Sequence, residues 1–158
     1  HVVTDIWTVH NYEADGNKLF EQLKFVEGKE PYRNTKNKPF LAVYEGQPYM
    51  VDEFGGIGWM SLEERKDSWG YGGIAWTDDK SGWGYGNAPD SAREFTDRLE
   101  GLTNALLKNK YIFGFCYTQL TDVEQEKNGI YYYDRRPKLD MKRIKAIFEL
   151  IPSTEEEK

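Results

Sequence analysis

The sequence predicts an α/β fold with parallel strands and crossover helices. Three observations predict it. Short β-branched and aromatic runs alternate with amphipathic runs of helical period, in the order strand, helix, strand, helix, strand, helix. The chain has 158 residues, of which 39% are hydrophobic and 30% charged, the composition of one globular domain with a moderate core. The acids and polar aromatics fall where the apolar runs end, the positions at which parallel α/β folds gather their chemistry.

The elements follow in order. VVTDIWTVH, 2 to 10, is β-branched and aromatic and reads as a strand. NYEADGN follows as a loop. KLFEQLKFV, 18 to 26, sets Leu19, Phe20, Leu23 and Val26 on one helical face. A polar stretch leads to a second strand at 48 to 54. A long Gly- and Trp-rich loop, 55 to 90, contains the near-duplicates SWGYGG and GWGYGN, too closely spaced for a repeat architecture. SAREFTDRLEGLTNALLKN, 91 to 109, is the clearest helix. Ser91 and Glu94 form a capping box, and Phe95, Leu99, Leu102 and Leu106 form its apolar face. Gly101 inside it costs about 1 kcal/mol relative to Ala and points to close packing. YIFGFCYTQL, 111 to 120, reads as a buried third strand. DMKRIKAIFELI, 140 to 151, is the last helix, with Met141, Ile144, Ile147 and Ile151 on one face. Three such units fit either an open sheet or part of a closed barrel.

Composition narrows the function. Net charge is −6 with acids and bases interspersed, which argues against nucleic acid as a partner. No apolar run is long enough to span a membrane, and no signal peptide is recognisable, so the compartment is left open. Cys116 is the only cysteine and excludes an internal disulfide; within an apolar strand it reads as core. With His1 and His10 as the only histidines, an ordinary zinc site is excluded. Aromatic residues make up 15%, with five Trp and eleven Tyr, a supply that suits sugar stacking as well as a Tyr-rich core.

One junction asks for a specific explanation. PYMVDEFGGIGWM puts Asp52 and Glu53 at the end of an apolar strand and two glycines just beyond. His10, Asn11 and Tyr12 end the first strand, and Tyr117 to Asp122 end the third. All three segments converge on the C-terminal edge of a parallel sheet.

VDEFGGIGWM, WGYGNAPDSAREFTDRLEGLTNALLKN and GFCYTQLTDVEQEKNGIYYYDRRPKLDMKRI together resemble the C-terminal part of the catalytic barrel of glycoside hydrolase family 2, which includes β-galactosidases, β-glucuronidases and β-mannosidases. The resemblance covers nearly the whole chain. It implies a partial (β/α)8 barrel, roughly the last three βα units, over residues 1–152, with an acidic tail at 153–158. It also implies a retaining double displacement on a carbohydrate substrate. Glu53 would be the nucleophile, and Tyr12 would hydrogen-bond and orient it. His10, Asn11, Trp59, Tyr117 and Gln119 would bind substrate, with Trp59 as the stacking ring and Trp69, Trp76 and Trp83 at outer subsites. The third strand lacks the tryptophan that floors the sugar subsite in the best-known members, which leaves the sugar open.

The second carboxyl of a retaining glycosidase lies in an Asn-Glu pair in this family, and no such dipeptide occurs here. Glu13 and Glu45 lack its context. The resemblance therefore implies a fragment that needs the remaining N-terminal barrel half and is inactive alone. It further implies self-association through exposed barrel edges. No cofactor is implied. Asp122, Glu124 and Glu126 form an acidic cluster with oxygen chemistry suited to a divalent cation, although a solvated loop is the favoured reading. Arg135-Arg136-Pro137 is expected to brace that loop. The alternative to an enzyme fragment is a non-catalytic carbohydrate-binding domain using surface Trp and Tyr. A third reading, a small hydrolase with Cys116 or a serine as nucleophile, is disfavoured because no Gly-x-Ser-x-Gly elbow is present.

Overall fold

The computed structural model describes residues 3–33, 42–61, 85–124 and 126–152. Trp69, Trp76, Trp83 and the acidic tail lie outside them. Six elements alternate: β1 (Trp7–Asn11), α1 (Gly16–Leu23), β2 (Tyr49–Gly55), α2 (Ala92–Leu107), β3 (Ile112–Thr118) and α3 (Met141–Phe148). The three strands form one parallel sheet in the order β1-β2-β3.

The partial barrel is corrected by this arrangement. Among the described residues the sheet is a small three-stranded parallel one with three helices, and no recognisable arc of an eight-stranded barrel. Alternation specifies parallel strands with crossovers, and an open sheet satisfies it as well as a barrel does. Closure depends on tilt and stagger shared by all eight strands, which three strands cannot fix.

The helices form where the sequence places their caps. Asp15 accepts from the Lys18 N–H, Ser91 from Glu94 and Asp140 from Lys142. Glu94 reaches back to the Asp90 N–H at 2.7 Å, one residue earlier than a capping box requires. Phe95, Leu99, Leu102 and Leu106 are all buried. They meet Leu19 and Leu23 of α1, Ile144 and Ile147 of α3, and the strand residues Trp7, Val9, Tyr49, Val51 and Phe54 in one core. Val26 and Ile151, included in the predicted helical faces, lie past the helix ends and are exposed.

The third strand is less buried than its composition implies. Phe115 and Tyr117 pack against Phe54, whereas Phe113 and Cys116 are exposed. A parallel sheet is normally covered on both faces. Here the core covers the face of Trp7, Val9, Val51, Phe54, Phe115 and Tyr117. The intervening residues His10, Asp52, Glu53 and Cys116 stay partly or fully open to solvent.

Gly101 does mark a close approach, but the constraint falls on its neighbour. A Cβ at Gly16, the first residue of α1, would lie 2.7 Å from the Gly101 carbonyl oxygen. A Cβ at Gly101 would meet nothing within 4 Å.

Beyond β3, the loop is held by a buried ion pair. Lys138 Nζ lies 2.8 and 3.1 Å from the two Asp122 oxygens and donates to the Lys127 carbonyl at 3.0 Å. The side chains are 0% and 1% exposed. Gly129 N–H donates to Asp122 Oδ1 at 2.9 Å. Burial pushes the Asp122 carboxyl up, while Lys138 and the Gly129 N–H pull it down. Lys138 is thus the buried brace expected of the neighbouring arginines; Arg136 pairs locally with Asp134 at 2.7 Å.

Two stability predictions follow from these contacts. Gly16→Ala destabilises by about 1–3 kcal/mol through the backbone clash, whereas Gly101→Ala stabilises by roughly 0.5–1 kcal/mol. Urea melts of the two variants should move in opposite directions. Lys138→Met strands a buried carboxylate and costs about 3–5 kcal/mol. The double variant Asp122→Leu with Lys138→Met should recover a large part of that loss in the same assay.

Candidate functional site

The site is built on an irregularity in β2. Along β1, Val9 pairs with Val51 and His10 with Glu53, so Asp52 is extra. Along β3, Phe115 pairs with Val51 and Tyr117 with Phe54, so Asp52 and Glu53 together oppose Cys116. In a regular strand, successive side chains alternate faces. The extra residue lets Val51 and Phe54 both enter the core while the two carboxylates between them are left outside it.

The chain then turns away. Gly55 and Gly56 have φ of +86° and +56°, values that side-chain-bearing residues rarely adopt. A Cβ at Gly56 would also stand 2.6 Å from the Tyr85 ring and 3.0 Å from the Tyr12 ring. Gly56 N–H donates to the Thr118 carbonyl at 2.9 Å, and its own carbonyl accepts from Tyr85 N–H at 2.9 Å. The paired glycines thus tie the ends of β2 and β3 together and make room for two tyrosines.

Tyr12, just past β1, donates its phenol hydrogen to Glu53 Oε2. His10 Nδ1 lies 3.2 Å from the same oxygen, and His10 Nε2 lies 3.6 Å from Asp52 Oδ2. Burial pushes the Tyr12 phenol well above the usual tyrosine range, and the Glu53 carboxylate adds to the shift; a hydrogen bond with Thr118 opposes it. Tyr12 therefore stays protonated and remains a donor. Two groups gather at Oε2, and Oε1 is left as the less engaged oxygen of a carboxylate whose side chain is 38% exposed.

The other expected substrate residues are placed differently. Asn11 is buried, with Nδ2 donating to Gln22 at 2.9 Å and Oδ1 accepting from the Glu13 N–H at 2.9 Å. It fixes the loop rather than facing solvent. Trp59 is 8% exposed within the core and has no free ring face for a sugar. Tyr117 packs against Phe54, Phe95 and Phe148 and donates to the Asn128 carbonyl at 3.0 Å. Gln119 donates to Glu126 at 3.2 Å and Asn128 at 2.7 Å. Glu13 accepts from the Asp15 N–H and from Gln22, both at 3.1 Å. The cation suggested for Asp122 and Glu124 conflicts with the Lys138 pair, which fills the Asp122 carboxylate. Among the described residues, no group of three or more His, Cys, Asp or Glu is arranged to hold a metal.

One residue of the site escaped the sequence reading. Tyr85 stacks on Tyr12, with ring centroids 3.5 Å apart and planes 5° from parallel. Its only sequence signal is the second of the two Trp-Gly-Tyr-Gly runs, where Gly86, at φ +75°, follows it.

No family model and no curated protein matches the chain.

The tyrosines predict an alkaline limit to stability. Burial holds Tyr12, Tyr49 and Tyr117 above the ordinary tyrosine value when folded. Above pH ~10 the unfolded chain releases these protons before the folded one does, so stability falls as pH rises. Denaturant melts across that range should show the fall, and Tyr12→Phe should make it shallower.

Proposed function

We propose that this chain carries the nucleophile side of a retaining β-glycosidase site, with Glu53 as nucleophile. The observation that carries the reading is the Tyr12–Glu53 hydrogen bond, made at the C-terminal edge of a parallel sheet and directly before a two-glycine turn. A surface turn acid has no need of a half-buried phenol donor, a strand irregularity and a pair of positive-φ glycines around it.

In this reading Glu53 Oε1 attacks the anomeric carbon as the bond to the leaving oxygen breaks, forming a glycosyl ester. Tyr12 donates to Oε2 throughout and holds the carboxylate plane, with His10 beside the same oxygen. A second carboxyl protonates the leaving oxygen and then activates the water that cleaves the ester. Both oxygens of Glu13 accept local hydrogen bonds, and Glu45 lies in the exposed turn before β2 with its N–H donating to Gln47. We therefore assign the second carboxyl to neither Glu13 nor Glu45, and the Asn-Glu pair that the resemblance implies for it does not occur in the sequence. The substrate of this reading is a carbohydrate. Trp59 is withdrawn into the core, which leaves the non-catalytic binding alternative without its nearest surface tryptophan.

The test is covalent trapping in the protein as it occurs in its cell. It would be treated with 2-deoxy-2-fluoro β-glycosides of galactose, glucose, mannose and glucuronic acid, followed by peptide mass mapping. A sugar on Glu53 is the expected result. A sugar on another carboxylate, or none from all four reagents, overturns the assignment. Tyr12→Phe removes one hydrogen bond to a charged group and should slow trapping by roughly 10- to 100-fold. The 158-residue chain alone should show no appreciable turnover of aryl β-glycosides.

A further inference from the structure

We infer that Tyr85 is the platform for a second ring, the one attached to the leaving oxygen. The inference rests on the glycosidase reading both for its ligand class and for which ring is held; only the stacking of Tyr85 on Tyr12 is independent of Glu53 acting as nucleophile.

One face of the Tyr85 ring is covered by Tyr12, at 3.5 Å and nearly parallel. The residue is nevertheless 49% exposed, which leaves surface of the side chain open to a ligand. An aromatic ring exposed beside a carboxylate suits the C–H face of a pyranose or an aryl ring. The platform is also fixed. Tyr85 N–H is held by the Gly56 carbonyl at 2.9 Å, and a Cβ at Gly56 would collide with the ring. Glycine at 56 is what allows the ring to seat on Tyr12.

Height decides which ring it holds. Tyr12 donates to Glu53, and a phenol O–H favours the plane of its ring. A ligand ring on the outer face of Tyr85 lies a further ~3.5–4 Å beyond it, and so about 7 Å from the Tyr12 plane. A reacting carbon must come within roughly 3–3.5 Å of the attacking oxygen. The ring on Tyr85 therefore cannot be the one attacked. It is the neighbouring ring across the glycosidic bond, and the site prefers substrates with a cyclic leaving group, such as a β-linked disaccharide, over simple alkyl glycosides.

The experiment uses the 158-residue chain with labelled tyrosine rings, titrated with cellobiose, lactose and, as a non-ring control, glycerol, and followed by NMR. The expected result is a saturable shift of the Tyr85 ring signals with at least one disaccharide and none with glycerol. Tyr85→Ala should weaken that binding roughly tenfold, the upper end of one aromatic contact, and Tyr85→Trp should restore it. A disaccharide that shifts other residues but not Tyr85, equal affinity in Tyr85→Ala, or no shift with either sugar overturns the platform. Covalent trapping separates the two claims. A label on Glu53 with an indifferent Tyr85 leaves the nucleophile standing and removes the platform. A Tyr85 response without any label removes the nucleophile and keeps a sugar-binding surface. Where trapping occurs, Tyr85→Ala should slow a dinitrophenyl reagent roughly tenfold more than the corresponding glycosyl fluoride, which has no second ring.

Discussion

One additional residue in the middle strand governs the rest of this molecule. Val51 and Phe54 must both be in the core, because each is completely buried and each pairs with a neighbour on β3. Three residues apart, they belong on opposite faces of a regular strand. The register slips at Asp52–Glu53 and resolves the conflict. The consequence is local and chemical: two adjacent carboxylates are kept out of the core at the end of β2, next to His10 and Tyr12 from β1. A regular strand would have turned one of them inward, where an unpaired charge is costly.

Around that slip, each supporting feature has a separate physical origin. The glycines provide backbone conformations closed to other residues. Tyr12 is kept neutral by burial and so can give a hydrogen to Glu53. The loop after β3 is fixed from beneath by Lys138 and Asp122, with Gly129 pressed so closely against Tyr131 that a Cβ would come within 2.6 Å of its carbonyl oxygen. An ion pair sealed from water gives little net stability, but it tolerates few alternative geometries. It sits under the segment that carries Gln119 and Asn128, and Asn128 in turn receives the Tyr117 hydroxyl. The path from the brace to the end of β3 is continuous in hydrogen bonds.

The face and the Ser91 cap of α2 were the most legible part of the sequence. Phe95, Leu99, Leu102 and Leu106 repeat at the helical period, and a period reports which residues share a face. The same logic failed where the period breaks. An inserted residue at Asp52 leaves no mark in an apolar pattern, because acids at a strand end read as loop. Cys116 was read as core because its neighbours are apolar, yet the neighbours Phe115 and Tyr117 take the covered face and leave Cys116 the other. Trp59 and Asn11 adjoin site residues in sequence and were expected in it; the tryptophan instead belongs to the core cluster, and Asn11 is buried in hydrogen bonds to Gln22 and Glu13. The Tyr12–Glu53 contact joins residues 41 apart, which no local pattern specifies; it was expected only through the family resemblance. The barrel was likewise an inference from resemblance, and the open three-stranded sheet replaces it.

The exposed face of β3 gives the molecule an unusual experimental convenience. Cys116 is the chain's sole thiol and is open to solvent. It stands two residues before Thr118, whose carbonyl receives the Gly56 N–H beneath the tyrosine pair. A maleimide dye or spin label would therefore attach at one defined point, with no residue replaced, on the face that bears the carboxylates. Native chemistry already supplies the attachment point for an optical or magnetic reporter of whatever settles on that face.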